Sequence, residues 1–186
     1  MEAEAIKIDE YLGSDVGKRF DFLYENYSVI KPIINNFKED LVSDVYEMKT
    51  YNRRAANGDL GVRIQISIGM SNPTADEAMK RSTITKAIDD GYLDDEFFED
   101  TDDPQDLIRR ITIYKLVSAD YKEFKKKLDE MNPFDQRVIK PYILKEKSMN
   151  ELSEEMGIEY RSAVMKVYRI RKKLSGLVIP KLKRGA

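Results

Sequence analysis

Residues 148–174 read SMNELSEEMGIEYRSAVMKVYRIRKKL. Two segments of helical periodicity meet at a single glycine. Ser148 and Glu151 have the Ser-x-x-Glu spacing of a capping box, in which the hydroxyl accepts from a helix amide and the carboxylate reaches back to the capping residue. Leu152 and Met156 supply the buried side of that short helix. Gly157 suits the left-handed conformation that ends a helix, and Ile158 plugs the core after the turn. The next helix begins near Tyr160. Ala163, Val167, Ile170 and Leu174 recur at spacings of four, three and four, so they face inward. Tyr160, Arg161, Ser162, Met165, Lys166, Arg169, Lys172 and Lys173 are left facing out.

That arrangement reads as a helix-turn-helix whose second helix docks on DNA. Side chains near the N-terminal end of such a helix reach base edges. Arg161 and Lys166 can donate to guanine O6 and N7, and Ser162 can bond to a base or a phosphate. Arg169, Lys172 and Lys173 lie later in the helix and suit phosphates, where contacts are salt-dependent and carry no sequence information.

The charge distribution agrees. The formal net charge of −2 conceals two blocks of opposite sign. From Asp89 to Asp106 there are ten carboxylates and no Lys or Arg; from Tyr160 to Ala186 there are nine Lys or Arg and no Asp or Glu. A basic end suits a polyanion. The acidic stretch matches no calcium loop, so it reads as a solvated connector, or as a shield for the basic helix until DNA competes it away.

Composition narrows the chemistry. With no cysteine, neither disulfides nor thiolate metal sites exist, and with no histidine the commonest general base and metal ligand is missing. No phosphate-binding loop or metal-spaced carboxylate motif appears, so an enzyme is not expected, and neither a cofactor nor a metal. No apolar run approaches a membrane span of roughly 18 residues, and the acidic, polar N-terminus is unlike a signal peptide. The expected location is cytoplasmic.

In chain order, residues 1–14 read as a polar leader. Helical signals begin near Asp15, with Phe20, Leu23, Tyr24 and Tyr27 on one face. A second helix follows Pro32, its apolar side read as Ile33, Phe37, Leu41, Tyr46 and Met48. Thr50 to Gly61 reads as a loop. Val62, Ile64, Ile66 and Ile68 alternate with polar residues, which predicts one short strand. Thr74 and Glu77 form a second capping box opening a helix through Ala78, Met79, Ile84 and Ala87 to Asp90, with Gly91 as its C-cap. Asp103 as N-cap and Pro104 at the first position open a long amphipathic pattern: Leu107, Ile111, Tyr114, Val117, Tyr121, Phe124, Leu128 and Met131. It reads as one helix, or two broken near Ser118, packing within the chain or pairing with a second copy through 107–131. Asn132 and Pro133 open another helix, with Val138, Ile139, Tyr142 and Ile143 apolar and Pro141 positioned to bend it. The expected division is a helical domain over 1–91, an acidic connector over 92–103, a linker helix over 104–131 and a DNA-binding domain over 132–186. The fold class is mainly α.

Met131 to Leu174 resembles region 4 of sigma factors, especially the extracytoplasmic-function type. The likeness rests on the Asn-Pro start, the Ser-x-x-Glu-Leu-Ser-x-x-Met-Gly helix and turn, and the Arg-x-Arg-Lys-Lys-Leu close. Val164 departs from it, standing where a basic residue is usual, and Pro141 interrupts a helix that is normally continuous. No basic, aromatic-rich helix suited to promoter melting precedes it. The helical N-terminal part, the Ser-Asn-Pro-Thr helix opening, the acidic connector and the terminal module are together similar to phage late-gene transcription regulators of the RinA and ArpU type. That resemblance implies a phage or prophage protein that binds double-stranded DNA at a promoter and activates late genes. It also implies contact with host RNA polymerase, for which the exposed side of the 134–143 helix is the surface. Two other readings stand beside it: a genuine alternative sigma factor, and a packaging adaptor such as a terminase small subunit.

Overall fold

The computed structural model describes residues 8–56 and 73–182, and all the secondary structure in them is helical. A 3₁₀ turn at Ile8–Glu10 precedes α1 (Val16–Glu25), α2 (Ile30–Ala56), α3 (Pro73–Asp90), α4 (Asp95–Phe98), α5 (Pro104–Asp129), α6 (Pro133–Ile143), α7 (Met149–Met156) and α8 (Tyr160–Leu182). The strand expected at Val62–Ile68 lies outside the described residues. The described chain forms two compact units, one of residues up to Ile34 together with those from Ile113 onward, the other of Asn35–Thr112. This division is not the sequential one expected at 91, 103 and 131. The N-terminal helix α1 packs against α8, and side chains more than a hundred residues apart bond to each other.

In the first unit, local capping chemistry sets the helix starts. Asp15 accepts from the amides of Gly17 and Lys18 at 2.8 and 3.2 Å. Asn132 accepts from Phe134 at 2.9 Å, with Pro133 at the first helical position. Ser148 and Glu151 complete the capping box, the Glu151 carboxylate accepting from the Ser148 amide at 2.7 Å. α6 ends at Ile143, two residues past Pro141. A proline there lacks the N–H that would bond the carbonyl four residues back, and the helix runs on for only two more residues.

The core of this unit is aromatic on one side and aliphatic on the other. Phe20 and Tyr27 pack on Phe124 of α5 with ring centroids 5.7 and 5.4 Å apart. Val138, Ile139, Ile143, Leu152, Ala163, Val167, Ile170 and Leu174 are buried as their periodicity requires. α8 runs beyond the expected Leu174 to Leu182, burying Val178 and Leu182 as well. α5 is one unbroken helix through Ser118. In this unit its Val117, Phe124 and Leu128 are buried within the single chain, and Leu107 and Ile111 are buried in the other.

Residues 8–14 are not a polar leader. Tyr11 is fully buried and donates to Asp120 Oδ2 at 2.8 Å. Arg19 donates to the same oxygen through Nε at 2.8 Å and also through Nη2, which additionally reaches the Leu182 carbonyl. Arg19 and Asp120 are both 3% exposed. Burial pushes the Asp120 carboxyl up, against the pull of the Arg19 and Tyr11 bonds.

The second unit is built from most of α2, then α3, α4 and the start of α5. α2 continues to Ala56, so Thr50–Ala56 is helix and not loop. Its buried positions here are Leu41, Val42 and Val45, whereas Phe37, Tyr46 and Met48 are only half-buried. α3 starts at Pro73, which places Thr74 inside the first turn; Glu77 pairs with Arg81 one turn on, at 2.9 Å. Ile84 and Ile88 face inward and Met79 is exposed. The acidic stretch is partly built into this unit. Asp94 caps α4, Phe97 is buried, and Asp100 pairs with Arg53 at 2.7 Å. Asn52 donates to the Asp100 carbonyl and to Asp102.

Candidate nucleic-acid interface

The turn between α7 and α8 is three residues long, Gly157 to Glu159. Gly157 has φ 62°, and the Ile158 amide donates back to the Ser153 carbonyl at 3.0 Å. This closes the exposed end of α7 and turns the chain sharply into α8. A Cβ at 157 would meet no atom within 4 Å, but any side chain there must adopt a left-handed backbone. Gly157→Val is therefore expected to lower stability by about 1–2 kcal/mol without altering the helix content at low temperature, read by denaturant unfolding. Ile158 is half-buried behind the turn.

The eight outward residues expected on α8 separate into groups. Tyr160, Arg161, Ser162, Met165, Arg169, Lys172 and Lys173 are exposed, and Lys166 is half-buried. Lys166 lies over the Phe134 ring with its Nζ 4.3 Å from the centroid, a cation–π contact that draws it toward α6. Lys173 Nζ pairs with Asp135 in the first turn of α6 at 3.0 Å. Arg171 points elsewhere again: it bonds Asp21 at 2.7 Å and covers the Tyr24 ring at 4.8 Å. The side chains of Arg161, Arg169 and Lys172 engage no ion pair or hydrogen bond among the described residues. From Tyr160 to Leu182 no carboxylate interrupts this surface. Exposed Glu151, Glu154, Glu155 and Glu159 make the α7 side acidic, with Lys147 pairing Glu155 at 2.7 Å. Arg161, Arg169 and Lys172 thus share one face of α8.

A cavity of about 750 Å³ lies in the second unit and has no signature in the sequence. Lys49, Arg53, Arg54, Lys80 and Lys86 line it together with Asp90, Asp94 and Glu96. Part of that charge is already satisfied, since Lys49 donates to the Glu96 carbonyl at 3.0 Å and Arg53 pairs with Asp100. Burial, and then the nearby Arg53 charge, hold the Lys49 ammonium below its usual range. No group of three or more Asp or Glu among the described residues is placed to hold a metal ion. No described helix is long and apolar enough to cross a membrane.

Comparison with known protein families, with characterised proteins and with solved structures finds no match to this chain.

Proposed function

We propose that the chain is a sequence-specific DNA-binding transcription regulator that reads a promoter element through α8. The observation that carries this reading is the unpaired cationic face of Arg161, Arg169 and Lys172 on a helix set behind a three-residue turn. Cations without a partner among the described residues are available to phosphates, and a helix projecting from a capped turn has the shape that enters a major groove. The likeness of residues 131–174 to sigma factor region 4 supports the same reading and extends it to activation of phage late genes. Contact with host RNA polymerase would use the exposed side of α6, where Phe134 and Arg137 are open to solvent.

The side chains differ in their expected roles. Arg161, at the start of α8, reads a base; Arg169 and Lys172 hold phosphates. Lys166 reaches DNA only by leaving Phe134, and Lys173 only by leaving Asp135. Arg161→Ala is expected to lose discrimination between target and random duplexes by about 1–3 kcal/mol. Lys172→Ala is expected to weaken both duplexes alike and to reduce the salt slope by about one. Binding isotherms over a range of salt concentrations measure both. Equal losses for the two variants on target and random DNA would remove the base-reading role from Arg161. Footprinting on the parent genome, with and without polymerase, tests the whole reading. A regulator protects promoters without polymerase and needs the host sigma factor for activity. A sigma factor would open a promoter with core polymerase alone, and a packaging adaptor would protect a packaging site.

A further inference from the structure

The free face of α8 is not uniformly charged. Arg161, Val164, Met165 and Tyr168 stand at spacings of three, four and seven, so they form one contiguous patch on the helix surface. Val164, Met165 and Tyr168 are 36%, 46% and 55% exposed. None of them is needed for the core, which Ala163, Val167, Ile170 and Leu174 fill from the opposite side. Two aliphatic side chains therefore sit in the middle of the surface, with an unpaired guanidinium before them and Arg169 and Lys172 beyond. A helix that held only phosphates would gain nothing from an aliphatic centre. In the major groove one group of the four bases is complementary to it: the C5-methyl of thymine.

We infer that Val164 and Met165 read thymine methyl groups, so that the DNA site of this chain places thymine beside the base read by Arg161. The inference rests on the duplex-binding function proposed above and goes further by naming the base chemistry. The polyanion is chosen as the occupant of this apolar patch by charge complementarity, because the flanking cations are unpaired and no carboxylate lies between Tyr160 and Leu182.

The test starts from duplexes selected by the full chain out of a random-sequence library. The best duplex is remade with each thymine in turn replaced by deoxyuridine, which removes only the methyl group. Binding is expected to weaken about fourfold at one or two positions, the worth of one buried methyl. The double substitution Val164→Ala with Met165→Ala is expected to bind the thymine and deoxyuridine duplexes alike, its fold being checked by circular dichroism. Lys172→Ala should bind both more weakly and keep the fourfold ratio. Wild-type protein that binds every deoxyuridine duplex as well as the parent overturns the inference and leaves duplex binding standing. A methyl effect that persists in the double variant also overturns it, by assigning the contact to another element. Failure to retain any duplex is a different result, which removes the proposed function itself.

Discussion

Arg19→Ala is expected to lower the free energy of unfolding by about 3–5 kcal/mol, because it leaves a buried carboxylate without its counter-charge. Asp120 Oδ2 receives the Arg19 guanidinium and the Tyr11 hydroxyl at one point, and both charged side chains are almost wholly withdrawn from water. Removing the cation leaves a single hydroxyl donor against the full desolvation cost of the anion. The pair itself is not expected to be a large net source of stability. Replacing all three groups with apolar residues of similar volume, Tyr11→Phe with Arg19→Met and Asp120→Leu, should fall within about 1–2 kcal/mol of wild type on either side. Denaturant unfolding of the three proteins separates these cases. With Arg19 gone, burial acts on Asp120 against the Tyr11 bond alone and raises its folded pKa above the unfolded value. The deficit of Arg19→Ala should then shrink as pH falls and the carboxyl protonates. An Arg19→Ala protein within about 1 kcal/mol of wild type would show that the carboxylate regains water at little cost.

The second large effect is expected in alkali. Burial pushes the hydroxyls of Tyr11 and Tyr24 well above the ordinary tyrosine range; at Tyr11 the neighbouring Asp120 charge adds to it, and at Tyr24 Arg171 opposes it. Tyr27 is pushed up to about 12, first by burial and then by Tyr121 and Asp129. In each case the folded value lies above the unfolded one. The stability these groups contribute is therefore complete below about pH 10 and falls as pH rises beyond it, while the unfolded chain sheds its protons. Each tyrosine contributes a slope of about 1.4 kcal/mol per pH unit, so three together approach about 4 kcal/mol per unit. A domain of ordinary stability, about 5–15 kcal/mol, is exhausted within a few units. The share of tyrosinate absorbance that belongs to these buried rings should rise together with the loss of helical circular dichroism, in one cooperative step above pH 10. Tyr27→Phe should make that step shallower. Complete ionisation near pH 10 with the helices intact would show that these rings are open to solvent.

Many helix starts and the α7–α8 turn were legible because their signals are local. Ser148 with Glu151, Gly157, Asp103 with Pro104, and Asn132 with Pro133 each act on amides within one turn, and each stands where its spacing placed it. The outward side of α8 followed from the periodicity of Ala163, Val167, Ile170 and Leu174. α2 was harder. It is 27 residues long and carries more apolar side chains than one face needs. Whether Ile33 and Phe37 or Ile34 and Val45 turn inward depends on what lies opposite, and that choice went to Ile34 and Val45. The acidic stretch read as connector because charge dominates its composition, yet Phe97 anchors it and Arg53 holds it.

The sequence by itself determined where the α7–α8 turn falls, which side of α8 faces out and that this side is basic, since hydrogen-bond capping and the 3.6-residue repeat operate over a few residues. Only the tertiary structure decided which of those cations are free. Phe134 draws Lys166 aside, Asp135 ties Lys173, and Asp21 with Tyr24 holds Arg171. Only the tertiary structure brought Tyr11 and Arg19 to Asp120. These contacts join residues tens to more than a hundred positions apart, and no repeat in the chain records such distances. They arise from the packing of whole helices, which sets a side chain's partners by where its neighbours lie in space.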